Sequence, residues 1–130
     1  MYANERVLRD ALDAILAGDE AGRNKVIAED IVTHVGGHSK LTSDWVGRGA
    51  VARRIHELTG GQLQLEVRDV MASSADHACG LYRMCVTCPP EEIVEWDHIN
   101  IYRIDNGQIV EVWQHFLSKA DQDRVDAFFS

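Results

Sequence analysis

Apolar positions near the N-terminus follow a helical period. Val7, Leu8, Ala11, Leu12, Ile15 and Leu16 form one stripe at about 3.6 residues per turn. Asn4 is a candidate N-cap and Gly18 a candidate stop. Residues 20–29 predict a short second helix, with Val26 and Ile27 facing inward. Residues 30–35 read as a short strand ended by Gly36-Gly37, and residues 38–47 as a loop carrying Trp45. A third helix is predicted over 49–58, with Val51, Ile55 and Leu58 inward and Gly60-Gly61 closing it.

The period then changes to two. Leu63, Leu65 and Val67 alternate with Gln64, Glu66 and Arg68, the mark of a half-buried strand. Residues 76–87 form a second such run, ended by Pro89-Pro90. Residues 92–104 alternate again, Asp105-Asn106-Gly107 reads as a hairpin turn, and 108–116 as the returning strand. A last helix covers about 121–128. Helices followed by an antiparallel meander predict an α+β domain, with the helices packed on one face of one sheet.

The whole chain, residues 1–130, is expected to be a single domain, since domains run to about 100–200 residues. A hydrophobic share of 45% with 26% charged residues is a globular composition rather than a disordered one. The net charge of −8 gives no electrostatic footprint for nucleic acid or an anionic membrane. No apolar run approaches the roughly 20 residues of a membrane span, and charges interrupt the N-terminus, so a cytoplasmic protein is expected. Cys85-Val86-Thr87-Cys88, with His77 and Cys79 nearby, invites a zinc reading. Alternation along one extended strand works against it: Cys79 and Cys85 share a face, and such ligands converge poorly. The cysteines read better as small apolar filler, and no metal or cofactor is expected.

The order of elements and four short motifs resemble the nuclear-transport-factor-2-like superfamily, and within it the SnoaL-like, polyketide cyclase-like group. The motifs are Leu16-Ala17-Gly18-Asp19, the run Trp45 to Val51 with Gly47, Gly49 and Ala50, the run Tyr102 to Ile109, and Val110-Glu111-Val112-Trp113. The resemblance implies a cone: a curved antiparallel sheet wrapped around the N-terminal helices, with an internal pocket at its open end. It also implies a homodimer formed through the outer sheet face, where Ile99, Ile101 and Trp113 would lie.

The hairpin register decides which side chains enter that pocket, because a slip of one residue exchanges the two faces. If Asn106-Gly107 alone is the turn, His98 lies opposite His115 and Asn100 opposite Trp113. If Asp105-Asn106-Gly107 is a type I turn with Gly107 at a bulge, His98 lies opposite Gln114, Asn100 opposite Val112, and Trp96 opposite Phe116. The resemblance favours the second register, since related pockets use positions matching 112, 114 and 116. The pocket face then holds Trp96, His98, Asn100, Tyr102, Val112, Gln114 and Phe116. Val35 or His34, and Trp45, line its mouth.

Related isomerases, cyclases and epoxide hydrolases work with carboxylates and a tyrosine donor. The matching positions here carry Val35, Ala11, Asn100 and Gln114. An amide cannot abstract a proton near neutrality. What remains is His98, whose imidazole can act as acid or base, with Asn100 to orient a carbonyl and Gln114 to fix the tautomer. Two functions stay open. One is isomerisation or cyclisation of a polyketide-, terpenoid- or aromatic-like molecule by histidine-based proton transfer. The other is ligand binding or dimerisation without chemistry. The aromatics Trp45, Trp96, Tyr102 and Phe116 suit a flat, largely apolar ligand.

Overall fold

The computed structural model of the chain describes residues 3–72 and 76–130. Its elements run α1 (Ala3–Ala17), α2 (Glu20–Val26), β1 (Ile27–Val35), β2 (Ser43–Val46), α3 (Ala50–Thr59), β3 (Gln62–Ala72), β4 (His77–Cys88), β5 (Glu92–Asp105), β6 (Gln108–Phe116) and α4 (Lys119–Phe128). The strands form one open six-stranded sheet in the order β2-β1-β6-β5-β4-β3. Neighbours are antiparallel except β1 and β6, which run parallel.

The apolar stripe of α1 explains its seat. Leu8, Ala11 and Leu12 are buried, and the helix touches β3, β4 and β6. Gly18, at φ 69°, turns the chain out of α1. Helix α3 packs on β3 through Ile55, and α4 packs on β5 and β6. The β3–β4 and β5–β6 pairings each carry an extra residue. Arg68 is skipped between the Val67–Tyr82 and Asp69–Leu81 pairs, and Val110 between Glu111 and Ile109. Such bulges sharpen twist and bend a sheet, so the strands curl around α1 and leave a concave inner and a convex outer face.

Three expectations need correction. The second helix ends at Val26, and β1 already begins at Ile27, where the φ of −121° and ψ of 123° are extended. Residues 43–46, expected in a loop, form the edge strand β2 against β1. The hairpin follows neither expected register. Its turn is the two-residue Asn106-Gly107, both left-handed at φ 50° and 73°, with Asp105 opposite Gln108. The bulge at Val110 then adds one residue, so His98 lies opposite Phe116 and Asn100 opposite Gln114. Past the bulge, the even-numbered residues of β6 consequently share the concave face with those of β5, as the second register would have them, but each partner is displaced by two.

Burial along β5 shows the outcome. Val94, Trp96, His98, Asn100 and Tyr102 are buried, while Ile99, Ile101 and Arg103 are half-buried on the convex side. Cys79 and Cys85 are half-buried on that same convex side, and Cys88 is buried on the other; all three are free thiols.

Candidate functional site

A cavity of about 290 Å³ lies between the helices and the concave face. Its apolar wall comes from Leu12 and Ile15 of α1, Ile27 and Ile31 of β1, Val51 of α3, Leu63 and Leu65 of β3, and Met84 of β4. Its polar wall comes from Tyr82, His98, Asn100, Tyr102 and Gln114, with Thr33 beside them. The opening is marked by Ile15, 41% exposed, and by half-buried Arg23 and Arg48.

His98 is 3% exposed. The Trp96 indole N–H donates to its Nδ1 at 3.0 Å. Nδ1 is therefore an acceptor, and a neutral ring must carry its hydrogen on Nε2. Nε2 is buried and has no protein partner. Burial pushes the imidazole down to about 4, against the weaker pull of Asp97 and Asp121. At neutral pH His98 is thus an uncharged ring with an unspent N–H donor. Trp96 fixes this tautomer, not the expected Gln114.

Asn100 is arranged in the complementary sense. Its amide nitrogen donates to the Tyr102 hydroxyl at 2.9 Å, and Tyr102 shares a 2.7 Å hydrogen bond with the Tyr82 hydroxyl. The amide oxygen of Asn100 is buried without a partner. Burial pushes the Tyr102 phenol up to about 12 and Tyr82 higher still, so both remain protonated. Tyr82 reaches Tyr102 by lying over Gly80. A Cβ at Gly80 would sit 2.0 Å from the Tyr82 hydroxyl oxygen, so the missing side chain makes room for the phenol.

The structure brings His98, Asn100, Tyr102, Val112 and Gln114 to one cavity wall and leaves four other expected residues outside it. Trp96 points toward α4, where its ring meets Phe129 edge-on at 6.4 Å; it serves the cavity only through His98. Phe116 pairs with His98 across the strands, but its ring lies against Gly37 and outside the cavity lining. Trp45 sits on edge strand β2, and its indole N–H is spent on the Leu41 carbonyl at 2.8 Å.

His34 projects from the convex face. Its Nδ1 and Nε2 contact Asp44 at 2.7 Å and Glu111 at 2.6 Å, and its ring stacks on Trp113 at 5.7 Å. Hydrogen bonds donated to Glu111 and then Asp44 hold this imidazole above the usual histidine range. A site uniting His34 with His98 is ruled out by the sheet between them.

Sequence reasoning missed Tyr82, Gly80 and the arginines. The alternation of residues 77–87 puts Gly80, Tyr82 and Met84 on one face, and that was the available signal. Arg23 and Arg48 gave none, because their meeting depends on how α2 and the loop before α3 pack.

No curated protein matches the chain in sequence. Solved structures share its fold. Bal32a, from a soil-derived mobile gene cassette, is 21% identical over 98% of this chain and 97% of that one, with a TM-score of 0.80. TerC co-crystallised with polyporic acid is 13% identical over 95% and 98%, at 0.71. Rv0760c from Mycobacterium tuberculosis, in complex with estradiol-17β-hemisuccinate, is 15% identical over 92% and 97%, at 0.67. The SnoaL-like domain family matches residues 8–112, and this chain belongs to that family.

Proposed function

We propose that the chain binds a small, flat, largely apolar molecule carrying a carbonyl or hydroxyl oxygen, of polyketide-, terpenoid- or aromatic-like character. One observation carries this reading: His98 Nε2 and Asn100 Oδ1 are buried on the wall of one cavity and neither has a protein partner. An unpaired buried polar group costs about 1–3 kcal/mol, and a bound oxygen or hydroxyl offsets that cost at both atoms. The cavity suits the small end of ordinary ligand sites, which begin near roughly 300 Å³. Two structural neighbours hold ring compounds, which supports the same class of ligand.

Turnover is a second reading that the same atom favours. Nε2–H donated to a ketone oxygen would stabilise enolate-like charge, with the α-proton passing to water admitted at the cavity mouth, as isomerisation or aldol-type cyclisation requires. The ring would then give a hydrogen bond rather than take a proton, because Nδ1 is occupied by Trp96.

Calorimetric titration with 2-naphthol, 1-tetralone and estradiol tests the binding reading. At least one should bind, and His98→Leu with Asn100→Leu should weaken it roughly tenfold, the worth of about one hydrogen bond. No binding, or binding that ignores both substitutions, overturns it. Mass spectrometry of the recovered ligand separates turnover from storage.

We infer further that the convex face pairs with a second copy. Ile99, Ile101 and Trp113 adjoin there as half-exposed apolar side chains, with Ile101 directly opposite Trp113. Trp113→Glu should convert a sedimenting dimer to monomer; a wild-type chain already monomeric at about 100 μM contradicts the pairing.

A further inference from the structure

The cavity wall is polarised. Gly47, Gly49, Ala50, Val51 and Ala52 line it where the chain enters α3. Gly49 is the N-cap and offers no side-chain acceptor; Ala50 N–H gives a long 3.4 Å bond to the Gly47 carbonyl, and the Val51 and Ala52 amides of this ten-residue helix are left uncapped beside the cavity. Two guanidiniums join the same wall. Arg48 holds the Ile27 carbonyl with Nε at 2.8 Å and the Asn24 carbonyl with Nη2 at 3.3 Å, which fixes its position. Arg23 makes only long contacts to the Asn24 side-chain oxygen, at 3.4 and 3.5 Å.

Among the described residues, neither arginine lies within 4.0 Å of a carboxylate. Among the described residues, no Asp or Glu lines this cavity, although the chain as a whole carries a net charge of −8. Arg53 adds a third guanidinium nearby, donating to the Arg48 carbonyl at 2.7 Å. The same cavity holds the two unpartnered buried atoms, on His98 at 3% exposure and Asn100 at 7%.

We propose that the ligand is an organic acid: an apolar ring body whose oxygen meets His98 and Asn100, and whose carboxylate meets Arg23 and the N-terminus of α3. This rests on the ligand-binding reading above and narrows it. A carboxylate suits both partners, because a free guanidinium offers paired N–H donors and uncapped helical amides carry partial positive charge. A neutral ligand of the same shape leaves Arg23 with nothing but water. The acidic chain repels anions at long range, so the attraction is local and weakens with salt.

Two dyes of one skeleton test this: 8-anilinonaphthalene-1-sulfonate and its uncharged parent, N-phenyl-1-naphthylamine. Both should bind, the sulfonate roughly tenfold tighter at low salt, as one charge-assisted contact warrants. Arg23→Gln, on a partly exposed helix position, should abolish that preference while changing the neutral dye's affinity by less than about twofold. The amides of Ala50, Val51 and Ala52 should shift in nitrogen–proton spectra with the sulfonate and not with its parent. Equal affinities, a preference that survives Arg23→Gln, or shifts confined to the convex face overturn the organic-acid proposal alone. Binding of neither dye by a chain that still binds 2-naphthol, 1-tetralone or estradiol overturns this proposal alone; failure of all five probes overturns the ligand-binding reading and this proposal with it.

Discussion

His98 on β5 and His34 on β1 belong to one sheet, with β6 between their strands, and they face opposite ways. His98 has an indole donor on one nitrogen, none on the other, and no carboxylate in hydrogen-bond contact. His34 has a carboxylate on each nitrogen, and Glu111 is in turn held by Arg103 at 3.1 Å. Desolvation decides the first ring and hydrogen bonds to carboxylates the second, so one is pushed down and the other up. The chemistry of a histidine here is a property of the face it occupies. The concave face supplies a neutral donor awaiting a ligand, and the convex face a ring whose charged form two carboxylates favour.

The strongest way to break this contrast is to change pH. His98 titrates near 4 when folded and near 6.5 when unfolded. On acidification the unfolded chain takes up this proton first, so the contribution of neutral His98 is whole above pH 6.5 and lost as pH falls toward 4. At about 1.36 kcal/mol per unit, the loss over that window is about 3 kcal/mol. Urea melts from pH 7 to 4 should show it. His98→Leu leaves the Trp96 N–H unpaired at every pH, yet should flatten the slope. An identical slope in the variant would mean that His98 is not held neutral by burial. In the native chain, nitrogen NMR should find the hydrogen on Nε2.

The same contrast explains how much was legible beforehand. The inward set Trp96, His98, Asn100 and Tyr102 follows from alternation once the face is chosen, because side chains in a strand repeat every two residues. The face itself depended on a bulge at Val110, and neither Val110 nor its neighbours carry a glycine to announce it. Residues 43–46 concealed a strand because Ser43 and Asp44 are exposed edge residues with no apolar alternation to display. The end of α2 was misjudged because Val26 and Ile27 fit either a helix face or a strand, and the strand won through pairing with distant β6. Trp96 and His98 were readable as neighbours on one face. That the indole N–H turns toward Nδ1, which sets the tautomer, depends on side-chain rotation and on Phe129, just past α4, meeting the Trp96 ring edge-on.

His34→Asn sharpens the comparison from the convex side, where the expected effect is smaller. A group whose folded pKa is raised contributes fully below its unfolded value of 6.5, and the contribution fades as pH rises through the folded value. The slope therefore runs opposite to that of His98. The magnitude is limited because the Asp44 side chain is 73% exposed and the pair is screened by water and salt. The substitution should cost under about 1 kcal/mol near pH 6, less at pH 9, and less again in concentrated salt. Because the cavity lies on the other face, the affinity for an aromatic probe should not change. A cost above about 2 kcal/mol would show that the His34 pairs behave as buried ones, since breaking such a pair costs several kcal/mol. A weakened probe would show that the two faces are coupled through β6.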